Sequence, residues 1–275
     1  YLFYAFTTAT GRTLPTTWDL QGDERMTDLN RTLVGNGLAL PLPGDPVASN
    51  FNLVGNPYGG HLDWEQILAD SDRLSATYQV WDPDAGAYQT FTAGVDTHPA
   101  GAGQYIPPFQ GFFVEASGAT LLNPPVIRFS QDQKHNVQDP NLFGRPSTPL
   151  PHLRLQASAV GGASPPIALV LSPGASTGPD RLDASHLGTL SGTHVLLAMV
   201  EGERELVVQG RPAPADGAIA LPLRFTTTES GTHTLTWPEA VGLGDVRAEV
   251  HDAVTGEVVG AGEAYTFTSV PVQDD

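Results

Sequence analysis

Histidines, carboxylates and hydroxyls are the groups in this chain that could do chemistry, and their spacing decides which chemistry is open to them. The eight histidines stand at positions 61, 98, 135, 152, 186, 194, 233 and 251. None forms a close ligand pair of the kind a zinc-binding helix supplies, so a metal site would need distant imidazoles to converge. Asp82, Asp84 and Gly86 superficially resemble a calcium loop. Pro83 intervenes and no glutamate closes the loop, whereas a Pro-Asp-x-Gly hairpin turn explains the same residues through aspartate binding backbone amides. Asp19, Asp23, Glu24 and Asp28 form a second acidic loop, read either as solvated charge or as a weak Ca2+ site. The chain has no Gly-x-Ser-x-Gly elbow, no P-loop and no Gly-x-Gly-x-x-Gly opening a helix. A pair of carboxylates for glycoside hydrolysis cannot be singled out. These patterns point away from an enzyme, and they assign no catalytic residue, cofactor or metal.

Two further groups of residues suit binding better than catalysis. Trp64, Trp81, Tyr88, Tyr105, Phe109, Phe112 and Phe113 could stack against sugar rings, although aromatic residues alternating along strands more often fill a core. The run Tyr1, Leu2, Phe3, Tyr4, Ala5, Phe6 is apolar on both faces of a strand, so it must be buried on both. Its plain reading is a central strand. Its sharper reading is a subunit contact, a strand that completes the sheet of a neighbouring copy and links copies into a fibre.

Composition narrows the partners. Thirteen basic residues against 30 acidic give a net charge of −17, which repels phosphate backbones and argues against nucleic acid. Cysteine is absent, removing disulfides, thiolate metal sites and cysteine nucleophiles together. No run of about 18 apolar residues exists, so no membrane-spanning helix is expected. The chain opens at Tyr1 rather than Met, which fits export with processing and an extracellular or cell-surface location.

The elements that must position these residues read as strands. Alternating apolar segments recur every 8 to 12 residues or so, punctuated by the 30 Gly and 24 Pro. In the first half they fall at residues 2–7, 13–18, 51–55, 77–81, 88–92, 111–115 and 126–130. The one credible helix covers residues 63–69, with Asp63 as N-cap and Trp64, Ile67 and Leu68 as its apolar stripe. Gly55-Asn56-Pro57 ends the strand at 51–55, where glycine and asparagine would supply left-handed backbone. Periodicity lapses over 131–150, the expected linker. Beyond it strands are predicted at 152–158, 166–172, 193–200, 205–209, 218–226, 232–237, 246–252 and 264–269.

A family resemblance follows from particular stretches. Phe51-Asn52-Leu53-Val54-Gly55-Asn56-Pro57-Tyr58, Leu62-Asp63-Trp64, Tyr78-Gln79-Val80-Trp81-Asp82-Pro83 and Ile106-Pro107-Pro108-Phe109-Gln110-Gly111-Phe112-Phe113-Val114 resemble a module of large bacterial surface proteins exported by the type IX secretion route. Leu153-Arg154-Leu155, Pro179-Asp180-Arg181-Leu182-Asp183-Ala184, Ala220-Leu221-Pro222-Leu223, Ser230-Gly231-Thr232-His233-Thr234-Leu235 and Tyr265-Thr266-Phe267 are similar to the β-sandwich that often follows it. The resemblance covers residues 50–269 and implies surface exposure, adhesion or display, with no shared chemistry.

The expectation is therefore an all-β chain of two antiparallel β-sandwich domains, jelly-roll or Ig-like, with at most one short helix. Residues 1–130 would form the first, 131–150 the linker and 151–275 the second. The expected role is that of a secreted structural protein, a subunit of an extracellular filament or adhesin that self-associates into a homopolymer. The alternative is a carbohydrate-binding accessory module of a larger exported enzyme, recognising surface glycans.

Overall fold

The computed structural model describes residues 27–33, 35, 50–82, 87–95, 104–118, 122–135, 150–160, 162–187, 195–214 and 218–269. The described chain is mostly β, with one α-helix, as the period-two distribution of apolar residues predicts. The strands expected at 2–7 and 13–18, the bend at 83–86 and most of the linker lie outside the described residues.

The first half contains β1 (Leu29–Thr32), β2 (Phe51–Gly55), β3 (His61–Asp63), α1 (Trp64–Asp70), β4 (Leu74–Asp82), β5 (Ala87–Thr92), β6 (Tyr105–Ile106), β7 (Gly111–Ala116), β8 (Val126–Phe129) and β9 (Lys134–His135). A four-stranded antiparallel sheet runs in the order β2-β7-β4-β5, beside a three-stranded β6-β3-β9 and the pair β1-β8. The core gathers Tyr78, Phe112 and Val114 from the four-stranded sheet with Trp64, Ile67 and Leu68 of α1 and Leu62, Ile106, Ile127 and Phe129 from the smaller sheets. Trp64 anchors it, meeting Tyr78 at 5.2 Å and Phe112 at 6.1 Å edge to face. Its Nε1 donates to Ala76 O at 2.9 Å, so the ring is buried without an orphaned donor. Asp63 caps α1 as expected, its side chain accepting from Glu65 N at 2.9 Å. Seven residues of helix would be marginal alone, and this stripe packed on the sheet supplies the support.

Asn56 has a different reason for its place than the predicted one. Among the described residues only Arg73 and Phe109 adopt positive φ without being glycine, and Gly55 does not adopt it either. Asn56 is instead a polar hub, 3% exposed. Its Nδ2 donates to Gly60 O at 2.8 Å and Pro107 O at 3.0 Å, while its Oδ1 accepts from Tyr58 N at 2.9 Å. One side chain thus ties the loop after β2 to the loop after β6.

The second half contains β10 (His152–Ala159), β11 (Gly162–Ala163), β12 (Ile167–Leu171), β13 (Ala184–Ser185), β14 (Val195–Glu201), β15 (Arg204–Arg211), β16 (Leu223–Thr227), β17 (Gly231–Val241), β18 (Glu249–His251), β19 (Val258–Gly260) and β20 (Tyr265–Ser269). It builds one large curled sheet in the order β16-β14-β15-β12-β10-β17-β20, with β11 and β13 paired to its side and β18-β19 as a separate hairpin. Strands β16 and β20 end opposite sides of that order, yet Phe225 meets Phe267 edge to face at 4.9 Å. The sheet therefore turns its two ends toward each other around Leu155, Ala157, Ile167, Leu197, Leu206, Leu235 and Tyr265. A register shift between Arg154 and Gln156, where β10 pairs β17, lies in the middle of that curl, where a bulge bends a strand.

Three details depart from the expected pattern. First, β12 pairs β15 in parallel, whereas every other strand pair among the described residues is antiparallel. The sequence signal was Ile-Ala-Leu-Val-Leu, a run without alternation, as a strand covered on both faces requires. Second, the strand predicted at 218–226 begins only at Leu223, because Pro222 has no amide to give a ladder. Third, the start of the expected linker is structured. Gln131–Gln133 form a 3-10 turn, and β9 pairs with β3. Among the described residues no helix is long and apolar enough to cross a membrane.

Candidate functional site

The predicted candidates separate sharply in three dimensions. The subunit-contact residues Tyr1, Leu2, Phe3, Tyr4, Ala5 and Phe6 lie outside the described residues, as do Asp19, Asp23, Glu24, Asp84 and Gly86. His61 and His135 face each other across β3 and β9. Among the described residues no group of three or more His, Asp or Glu is placed to hold a metal ion. His233 is buried between Phe225 and Phe267, its ring 4.9 Å from the first and 5.7 Å from the second.

The seven aromatics divide between core and surface. Trp64, Tyr88, Tyr105 and Phe112 are buried, and Trp81 and Phe113 are half-buried. Trp81, Tyr88 and Phe113 form an edge-to-face stripe on the opposite side of the four-stranded sheet, with ring separations of 5.1 and 5.6 Å. Phe109 alone is well exposed, at 60%, and sits at φ 59°, a strained conformation for an aromatic residue.

Two polar clusters that no sequence motif marks lie beside β15, and Arg204 touches both. The first joins the halves of the chain. Glu115 of β7 is buried, and its carboxylate accepts from Ser185 N at 2.8 Å and from Ser185 Oγ at 2.6 Å. Arg204 of β15 donates to the same Ser185 Oγ at 3.2 Å. Beside it, Ser75 Oγ of β4 donates to Asp183 O at 3.0 Å, Ala76 N to Arg181 O at 2.7 Å and Gln79 Nε2 to Ser185 O at 3.0 Å. Asp183 organises the loop from within, its oxygens accepting from Gly210 N at 2.9 Å and Asp180 N at 3.0 Å. Burial pushes the Asp183 carboxyl above the usual range, and the two amides pull it only part of the way back. Gly210 makes the close approach feasible, since a Cβ there would stand 2.6 Å from Leu182 Cβ.

The second cluster opens into a cavity of about 540 Å3 between β14, β15 and the proline-rich chain that follows β15. Arg211 donates to Glu201 Oε1 at 2.6 Å and to Gly210 O at 3.0 Å. Gln209 contributes to the lining although its residue is only 1% exposed. Its Oε1 has no hydrogen-bond partner among the described residues, and neither has Glu201 Oε2. Pro212, Pro214, Ile219 and Leu221 provide the apolar walls. The available signals in the sequence were Glu115 inside the apolar strand β7 and Gln209 and Arg211 at the end of the apolar run of β15.

A third polar contact shows what ordinary pairing looks like here. Arg154 Nε donates to Glu239 Oε2 at 3.0 Å, and His152 Nε2 lies 3.2 Å from the same oxygen. Burial pushes the Glu239 carboxyl up, but the neighbouring His152 and Arg154 outweigh it and hold the group below its usual range.

No protein-family model, curated protein or solved structure matches this chain.

Proposed function

We propose that this chain is a structural segment of a secreted cell-surface protein, a subunit of an extracellular filament or adhesin of the kind exported by the type IX route. In that reading it comprises two sandwich-like domains, 1–130 and 151–275, joined through 131–150, and it performs no catalysis. The observation that carries the reading is the junction at Glu115, Ser185, Asp183 and Arg204. Polar contacts between domains ordinarily permit relative motion. Here the buried groups are paired across β4, β7, β13 and β15, which couples the two sheets and suits a body that must transmit load rather than hinge. The residue-range 1–6 supplies the copy-to-copy contact by strand addition.

The test is assembly. Light scattering and negative-stain electron microscopy of the full chain should show ordered polymers, and deletion of residues 1–8 should leave monomers that retain their β circular dichroism. Monomers from both proteins, or polymers from both, would remove the proposed contact.

A further inference from the structure

We infer that the open edge of β2 is the acceptor on which residues 1–6 of a second copy dock, adding a strand to the four-stranded sheet. The inference rests on the assembly reading above and names the surface that reading leaves open, so the two can fail separately.

β2 ends the order β2-β7-β4-β5, and among the described residues no strand pairs with its other side. The register shows which groups it turns outward. Phe51 stands opposite Glu115 and Gly55 opposite Gly111, and just beyond them Ala116 N donates to Asn50 O at 2.9 Å and Asn56 N to Gln110 O at 3.0 Å. Bonds of an antiparallel ladder fall on alternate residues, so the even positions of β2 are spent on β7. Leu53 and Gly55 therefore aim their N–H and C=O at the open side.

The two ends of this sheet are not equivalent. At the far end, β5 has Tyr88, Thr90 and Thr92 buried, whereas none of the five residues of β2 is buried and Leu53 is 44% exposed. The larger sheet turns its own ends toward each other, with Phe225 against Phe267. β2, of sequence Phe-Asn-Leu-Val-Gly, also lacks the charges and prolines that usually guard an edge.

Charge and shape select the occupant. Copies carrying a net −17 repel one another, so a contact between them costs least where neither side is charged. Neither β2 nor residues 1–6 contain Asp, Glu, Lys or Arg. The segment Tyr1-Leu2-Phe3-Tyr4-Ala5-Phe6 needs apolar cover on both faces, and β2 borders such cover on both. On one face Val54 packs against the core that holds Phe112 and Val114. On the other, Leu53 lies opposite Phe113, which continues into Tyr88 and Trp81. A strand added here extends both faces, with backbone bonds to Leu53 and Gly55.

The absence of cysteine makes the contact readable by disulfide formation. Full-length Leu53→Cys protein is mixed with full-length protein carrying Leu2→Cys, Phe3→Cys, Tyr4→Cys, Ala5→Cys or Phe6→Cys, and oxidised mildly. Disulfide-linked dimers should appear in yields that alternate along positions 2–6, because successive strand residues point to opposite faces. The yields should exceed those from Val254→Cys, a 95% exposed site elsewhere. Leu53→Lys alone should abolish polymers and keep the β circular dichroism. Yields without alternation or at the Val254→Cys level, polymers undiminished by Leu53→Lys, or a disulfide formed within a single, dilute, doubly substituted chain would each overturn the inference. Polymers that vanish on deletion of residues 1–8 yet give no Leu53 cross-link would leave the assembly reading standing and move the acceptor elsewhere. A wild-type chain that stays monomeric and gives no alternating cross-links would remove both.

Discussion

Two buried polar clusters meet β15, and they differ in how far their acceptors are satisfied. At Asp183 and Glu115 the carboxylate oxygens receive donors from the protein itself, from Gly210, Asp180 and Ser185. At the cavity, Gln209 and Glu201 each keep an oxygen without one among the described residues. Burial is similar on both sides, with Asp183 at 2% and Gln209 at 1% exposure. The difference lies in completion rather than depth. A completed network fixes its elements, whereas an incomplete one carries a desolvation cost that nothing in the protein offsets.

That contrast is broken most severely by Asp183→Ala. The substitution strips the acceptor from the Gly210 and Asp180 amides at once, and each orphaned donor costs about 1–3 kcal/mol when water cannot replace the partner. A loss of about 3 kcal/mol is expected by urea denaturation, and the cross-half bond from Ser75 to Asp183 O should weaken with it. A loss within 0.5 kcal/mol or so, the range of ordinary surface changes, would show that the network does not hold the loop. The next largest effect is expected from Gly210→Ala. The new methyl group would overlap Leu182 Cβ, which sits next to the backbone and cannot swing away, so about 2 kcal/mol of strain should appear. Wild-type stability in that variant would mean the segment at 180–185 is free to move off β15.

Much of the fold was legible because alternation reports one-sided burial directly. The cap at Asp63 and the stripe of Trp64, Ile67 and Leu68 were readable to within a residue, since capping and helical spacing act locally. What escaped was non-local. Whether β12 runs parallel to β15 depends on where the chain returns after 30 residues or so, which no local pattern records, although the loss of alternation at Ile167–Leu171 hinted at two-sided cover. Asn56 reads as a turn residue in the sequence, yet its value comes from carbonyls some fifty positions away, Ile106 and Pro107, not from its own φ. The cavity was invisible for a similar reason. Gln209 reads as an ordinary polar position in a strand until the structure shows which neighbours fail to reach its amide.

The contrast is sharpened from the other side by Gln209→Leu. If Gln209 belonged to a completed network, its loss would destabilise the fold. Because its Oε1 is unpaired, removal of the amide should instead relieve a desolvation cost and raise stability by about 1 kcal/mol, read as an increase in Tm. A destabilised protein would place Gln209 with Asp183 among the structural groups.

The smallest effect expected is the dependence on pH, where the two kinds of environment have opposite signs. Asp183 has its folded pKa raised, chiefly by burial. Below the ordinary aspartate range both folded and unfolded chains carry its proton, and its contribution is fully present. As pH climbs, the unfolded chain loses that proton first, so stability falls until the folded group also ionises. Glu239 behaves conversely, because His152 and Arg154 outweigh its burial and lower its pKa. Its contribution is present above the ordinary glutamate range and is lost as pH falls through the folded value. Denaturation curves across a pH series should therefore show the advantage of wild type over Asp183→Asn shrinking as pH rises, and its advantage over Glu239→Gln shrinking as pH falls. Parallel trends in the two differences would mean that burial and pairing do not divide these carboxylates in the way their contacts indicate.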